Sequence, residues 1–174
     1  MNKEILDGIK ERRSFRKYKA EQISDAELDT VLEAATYAPT GRNMQAPKMV
    51  VVQDKETIET LRKLNAEIMG SPDADPFYGA PTVVIVFSDK NVSTHLEDGS
   101  LVLGSLMLAA HAVGLGSCWI HRARQTFETD EGKNLMKKWG LGENYVGIGN
   151  CILGYPDCEH PEARPRKEDY ILKV

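Results

Sequence analysis

Three guanidinium groups and a hydroxyl fall within five residues at Arg12-Arg13-Ser14-Phe15-Arg16. Arginine presents a planar fork of donors that meets phosphate oxygens two at a time, so this run is suited to gripping a phosphate. A second polar stretch follows, Pro39-Thr40-Gly41-Arg42-Asn43-Met44-Gln45. Asn43 and Gln45 carry amides that both donate and accept, which suits the polar edge of a heterocycle. In this order the two stretches point to a phosphorylated, ring-bearing ligand.

Each stretch also has a plain structural reading. Residues Asn2 to Arg12 are predicted as a helix with Ile5, Leu6 and Ile9 on one side, and arginine at a helix C-terminus is favoured by the macrodipole without any ligand. Thr40 to Gln45 reads as a loop behind a helix that Pro39 stops.

The elements that must position these residues can be read along the chain. Ser24-Asp25-Ala26-Glu27 is a capping box, and Leu28, Val31, Leu32 and Ala35 follow at helical spacing, predicting an amphipathic helix over 25–38. Lys48 to Gln53 is short and β-branched, hence a strand. Asp54 can cap a helix whose apolar face is Ile58, Leu61, Leu64 and Ile68. Residues 70–81, with Gly70, Pro72, Pro76, Gly79 and Pro81 around Phe77 and Tyr78, form a loop long enough to be functional. Thr82 to Ser88 is a buried strand. Thr94 and Glu97 suggest a second capping box, opening a helix that runs to about Val113 and is apolar on nearly all sides, so a partner subunit is part of its expected cover. Cys118 to Ile120 reads as a short strand, 128–139 as one amphipathic helix ending at Gly140, and Tyr145 to Tyr155 as a strand with small residues. A proline-rich, charged tail begins at Pro156 and closes on the apolar Tyr170-Ile171-Leu172.

The chain has 174 residues, 41% hydrophobic and 28% charged, with a formal net charge of -4. This is the composition and size of one globular domain, 1–174. An acidic balance argues against nucleic-acid binding, which needs a basic face to displace phosphate counterions. The N-terminus carries charges where a signal peptide would have its apolar region, and Leu101 to Gly116 is too short to span a membrane. Three cysteines without a CxxC pair argue for reduced thiols and a cytoplasmic protein.

Other constellations lead nowhere. Gly147-Ile148-Gly149 would place the third glycine of a dinucleotide fingerprint at Ile152, so it reads as a strand with close backbone approach. Cys118, His121, Cys158 and His160 depart from zinc-ligand spacing, so no metal is expected. His111 lies in an apolar helix and reads as a core or interface histidine.

Five segments in order carry a family likeness: RRSFRKY at 12–18, APTGRNMQAPKMVVV at 38–52, YGAPTVVIVFSD at 78–89, EDGSLVLGSLMLAAHAVGLGSCWI at 97–120 and GYP…RPRK at 154–167. With them the chain resembles the FMN-dependent nitroreductase superfamily. The resemblance implies an α+β fold with a central mixed, largely antiparallel sheet wrapped by helices, in an interlocked homodimer. It places Arg12, Arg13 and Ser14 at the ribityl phosphate and pyrimidine side of FMN, and Arg16 near flavin N1–C2. It places Pro39, Thr40, Gly41 and Asn43 against the ring from the other subunit, with Gln45 supporting that loop. Trp119 and Ile120 would line the ring, and Arg164 and Arg166 would close on the phosphate. Tyr170 to Val174 would extend onto the partner. The implied activity is NAD(P)H oxidation by a ping-pong cycle, with hydride passing from NADH or NADPH through flavin N5 to a nitroaromatic, quinone or similar small-molecule acceptor, Arg16 giving electrostatic stabilisation. Alternatives within the same resemblance are other flavin chemistry, such as reductive dehalogenation or flavin fragmentation, and a non-enzymatic FMN-binding or redox-sensing role; a domain that binds another phosphorylated ligand through the same arginines is the third. The helical lid insertion of longer members has no room here, and loop 70–81 is the expected partial replacement.

Overall fold

The computed structural model describes residues 3–174. Asn2, assigned by sequence to the first helix, lies outside the described residues. Helix α1 (Lys3–Glu11) is followed by α2 (Asp25–Thr36), β1 (Lys48–Val52), α3 (Lys55–Met69), β2 (Thr82–Asp89), α4 (His95–Ala112), β3 (Gly116–Ile120), α5 (Ala123–Glu128), α6 (Asp130–Lys138) and β4 (Tyr145–Gly154).

Local chemistry sets most of these bounds. The Ser24 hydroxyl accepts from Glu27 N–H while the Glu27 carboxylate accepts from Ser24 N–H, completing the capping box that opens α2. Asp54 accepts from Thr57 N–H at 2.8 Å to open α3, which ends where Gly70 turns left-handed at φ 77°.

Two expectations are corrected. Thr94 makes no capping bond, because its backbone (φ -98°, ψ 16°) is not the extended conformation that aims a side chain at the first turn's amides. Its hydroxyl instead donates to Asp98 at 3.0 Å. The helix expected over 128–139 starts only at Asp130, where Thr129, extended and with its hydroxyl accepting from Gly132 N–H at 3.0 Å, caps it; Glu128 instead ends a separate helix, α5, that the sequence did not suggest.

The four strands form a sheet in the order β1-β2-β4-β3, with every neighbouring pair antiparallel. This corrects the mixed sheet to an antiparallel one; parallel pairing is confined to an isolated bridge between Ser14 and Ser117. The reason lies in the connections. The end of β1, Val52, is paired with the start of β2, Val83, so loop 70–81 must carry the chain back across the length that α3 travels.

Both faces of the sheet are buried. Val83, Ile85 and Phe87 of β2 point into one core with Leu61, Phe127, Met136, Phe15 and Tyr18. Val84 and Val86 point into the other with Val31, Leu103, Leu106 and Ala110. Helices α3, α5 and α6 therefore cover one face, and α2 and α4 the other. Each such fully buried Val, Ile or Phe contributes roughly 1.5–3 kcal/mol relative to exposure. The Gly-Ile-Gly stretch of β4 is a bulge: Val86 pairs with Gly149 but Phe87 with Gly147. A Cβ on Gly147 would stand 2.7 Å from Ala123 O, so the glycine permits α5 to lie against the strand.

Among the described residues no helix is long and apolar enough to cross a membrane.

Candidate functional site

The arginine segment is clamped onto the open side of edge strand β3. Phe15 N–H donates to Ser117 O at 3.0 Å, and Lys19 N–H to Tyr155 O at 2.9 Å. Phe15 and Tyr18 are buried, and the Tyr18 hydroxyl donates back to Phe15 O at 2.8 Å. Burial pushes the Tyr18 phenol far up, so it stays a neutral donor. Gly116 is needed here, since a Cβ would crowd Phe15 and Pro156 at 3.1 Å.

Held this way, Arg12 and Arg13 are half-buried. Arg13 Nη1 donates to Lys10 O and to Arg12 O, both at 2.7 Å. Arg12 Nη1 and Arg13 Nε are buried with no partner. Leaving charged donors unmet costs on the order of 1–3 kcal/mol each. Two histidines set aside by sequence reasoning stand in the same neighbourhood. His111 packs against α1 near Gly8, and its ring centroid is 6.3 Å from that of His160. His160 in turn meets Phe15 edge to face at 5.6 Å. Burial, then His160, hold His111 below the usual imidazole range, with Arg12 and Arg13 adding to the effect and Glu11 opposing it. Sequence spacing gave no signal for these histidines, because the contact depends on the tail folding back over Phe15.

Arg16 lies at the other end of the same segment, in a groove of about 380 Å³ that it shares with Trp119, Ile120, Tyr78, His121 and Arg122. Four residues reach at most roughly 14 Å, so the unmet donors of Arg12 and Arg13 lie one short stretch of chain from this groove. The Trp119 ring is 45% exposed and lies where a Cβ on Gly149 would stand 2.5 Å from its Nε1. Ile120 is buried in the core beside it. Loop 70–81 forms the facing wall. Its turn is fixed by Asp75, whose two oxygens accept from Phe77 N–H at 2.9 Å and Gly79 N–H at 2.6 Å. Phe77 is buried as an anchor, while Tyr78 remains 39% exposed in the left-handed region, φ 53°.

The polar loop 39–45 is elsewhere. Thr40 and Gln45 line a separate cavity of about 170 Å³ with Ala35, Pro47 and Val102. Gly41 N–H donates to buried Asp98 at 2.9 Å, and a Cβ on Gly41 would collide with Thr94. Gln45 N–H donates to the Thr40 hydroxyl at 3.0 Å, and the Gln45 amide to Asn43 Oδ1 at 3.2 Å. Arg42, Asn43 and Gln45 all have positive φ, 53°, 54° and 49°. Non-glycine residues in that region are strained and gather at functional sites. Pro39 and Asn43 are exposed.

Arg164 and Arg166 are exposed on the tail, where the Arg166 guanidinium donates to Arg164 O at 2.6 Å. The structure thus brings Arg16, Trp119 and Ile120 into one groove and places Arg12, Arg13 and Ser14 beside it in sequence. It leaves 39–45 and the tail arginines outside that groove within one chain. Among the described residues no group of three or more His, Cys, Asp or Glu side chains gathers as a metal site.

An antiparallel sheet between two helical layers, with arginines at the edge strand beside a groove bearing Trp119 and Tyr78, defines the class of fold: α+β. Residues 9–155 match the family model described as Nitroreductase family, and the chain belongs to that family. It is similar to a nitroreductase with bound FMN from Bacteroides fragilis, at 28% identity and a TM-score of 0.89 over 98% of both chains. It is also similar to a nitroreductase with bound FMN from Desulfitobacterium hafniense, at 29% identity and a TM-score of 0.87 over all of both chains. An NADPH-flavin oxidoreductase from Vibrio harveyi is 26% identical over 96% of this chain and 71% of its own length. This chain and the two solved structures cover 98% or more of one another.

Proposed function

We propose that this protein is an FMN-dependent NAD(P)H oxidoreductase that works as a homodimer. The observation that carries the reading is the pair of buried, unpartnered guanidinium nitrogens on Arg12 and Arg13, one short segment away from an aromatic groove containing Arg16. These donors fit a phosphate dianion, and the groove fits a flat ring.

Arg12, Arg13 and Ser14 hold the phosphate, and Arg164 and Arg166 close on it from the tail. Trp119 and Ile120 border the ring. When bound, FMN supplies two-electron chemistry, taking hydride from NADH or NADPH and delivering it to a nitroaromatic, quinone or similar acceptor in alternating half-reactions. Arg16 is the catalytic residue: its cation in the groove would stabilise negative charge developing on the bound ring. Ala74, Asp75, Pro76 and Tyr78 narrow the groove from the other side. No side chain acts as a nucleophile.

Pro39, Thr40, Gly41, Asn43 and Gln45 complete the ring site of the other protomer. Two features support this: the loop is exposed and strained, and it is absent from the groove of its own chain.

The test is the visible spectrum of the purified protein before and after anaerobic addition of NADH or NADPH. Flavin bands that bleach support the oxidoreductase. Bands that persist with both donors favour a sensing role, and a protein that takes up no FMN ends the reading.

A further inference from the structure

The groove holds a cation that the flavin reading leaves unused. Arg122 follows β3 directly and sits in the left-handed region at φ 77°, a conformation unfavourable for a residue with a Cβ. The strain is maintained by a built support. Asn65, buried on α3, donates to His121 O at 2.9 Å and accepts from Arg122 Nε at 3.0 Å. Asn150, buried on β4, donates to the same His121 carbonyl at 3.4 Å. Arg122 Nη2 meets only the Met69 thioether at 3.1 Å, a weak acceptor.

Among the described residues Arg122 forms no ion pair, whereas Arg62 nearby on α3 is paired with Glu59 at 2.7 Å. The one carboxylate lining the groove, Asp75, is already occupied by two backbone N–H groups. Arg122 is thus a guanidinium oriented through Nε and Nη2, with no hydrogen bond from Nη1 among the described residues, lining a groove with the part-exposed Trp119 and Tyr78 in a protein of net charge -4.

The geometry points to Arg122 as a specificity-determining residue that selects electron acceptors carrying a carboxylate on an aromatic or quinone ring. The acceptor's ring enters the groove over the flavin ring placed there above, and its carboxylate meets the Arg122 guanidinium. This rests on the oxidoreductase reading above, which Arg16 serves; Arg122 acts on the acceptor. A pyridine nucleotide also brings anionic groups to such a groove, so the test separates the two sources.

The first experiment is calorimetric titration of the holoprotein with benzoate and with benzamide, a neutral analogue that cannot be reduced either. Benzoate should bind at least about tenfold more tightly, and Arg122→Gln should abolish the difference while Arg122→Lys retains part of it. The second is steady-state kinetics with 4-nitrobenzoate and 4-nitrobenzyl alcohol. The ratio of their kcat/KM values should fall about tenfold in Arg122→Gln, through KM for the acid. No benzoate preference in the wild type, or one that survives Arg122→Gln, overturns the assignment. So does a variant whose KM rises for NADH or NADPH and not for the acid, since the anion site would then serve the donor. Should Arg122→Gln not fold, the wild-type benzoate comparison and Arg122→Lys still decide. If no FMN binds, the oxidoreductase reading fails on its own account, and the benzoate titration of the flavin-free protein still tests the anion site.

Discussion

At the scale of single residues, ligand binding and stability make opposite demands at Arg12. An unpartnered buried guanidinium nitrogen destabilises the ligand-free chain. Arg12→Ala should therefore leave the midpoint of unfolding of the flavin-free protein unchanged or raised, while FMN affinity falls at least about tenfold. Affinity for riboflavin, which lacks the phosphate, should hold. Fluorescence titration with both ligands checks this, and a parallel loss of the two would move Arg12 from the phosphate to the scaffold. Arg16→Ala should weaken FMN or slow its reduction by NAD(P)H in stopped-flow absorbance; a variant unchanged in both would remove Arg16 from catalysis. These arginines were visible in the sequence because charge type and adjacency suffice to suggest a phosphate. His111, His160 and Arg122 were not. The histidines meet through the tail's path over Phe15, and the Arg122 signal is a backbone angle supported by Asn65, distant in sequence.

At the scale of elements, the sequence was most legible where one local interaction decides the outcome. The Ser24 box, the Asp54 cap and the burial of β2 on both faces follow from neighbouring residues alone. At Thr94 the local signal misled: its hydroxyl turns to Asp98, four residues on, and Asp98 accepts as well from Gly41 N–H of the polar loop, distant in sequence. That chain of contacts makes Asp98→Ala a test of loop positioning. The change should cost on the order of 2–3 kcal/mol by stranding Gly41 N–H and the Thr94 hydroxyl. It should also reduce FMN retention, read as flavin content against unfolding by denaturant. Glu27 joins elements in another way, accepting from the Tyr155 hydroxyl at 2.6 Å as well as from Ser24. Hydrogen bonds from Ser24, then from Tyr155, hold its carboxyl below the usual glutamate range. A lowered folded-state pKa contributes stability that is present above the unfolded value and lost as pH falls through the folded one. Glu27→Gln should therefore unfold at lower temperature than wild type near neutral pH, and the gap should close as the buffer is taken below the glutamate range.

At the scale of the whole molecule, the apolar surface left uncovered by one chain is too coherent to be incidental. Helix α1 buries none of its residues, with Ile5 57% and Ile9 56% exposed on the side the sequence marked as apolar. Leu96 and Leu101 of α4 face outward, and the tail exposes Tyr170, Ile171 and, at 85%, Leu172. Helix α4 was expected to need cover all round. Its own chain buries Val102, Leu103, Leu106 and Ala110, so the remaining face is the one a second copy would cover in the proposed homodimer. Loop 39–45 gives the same requirement a chemical form, since its amides lie outside the groove of their own chain. A closed, two-fold pairing would satisfy both, because the surface that donates the loop also receives one. Sedimentation equilibrium should show a dimer. Ile5→Glu with Ile9→Glu should shift it toward monomer, and deletion of residues 168–174 should weaken it. FMN affinity should fall in step with dimerisation, because half of each ring site would leave with the partner. A monomeric variant that retains full FMN affinity would show that one chain builds the whole site, and loop 39–45 would then need another role.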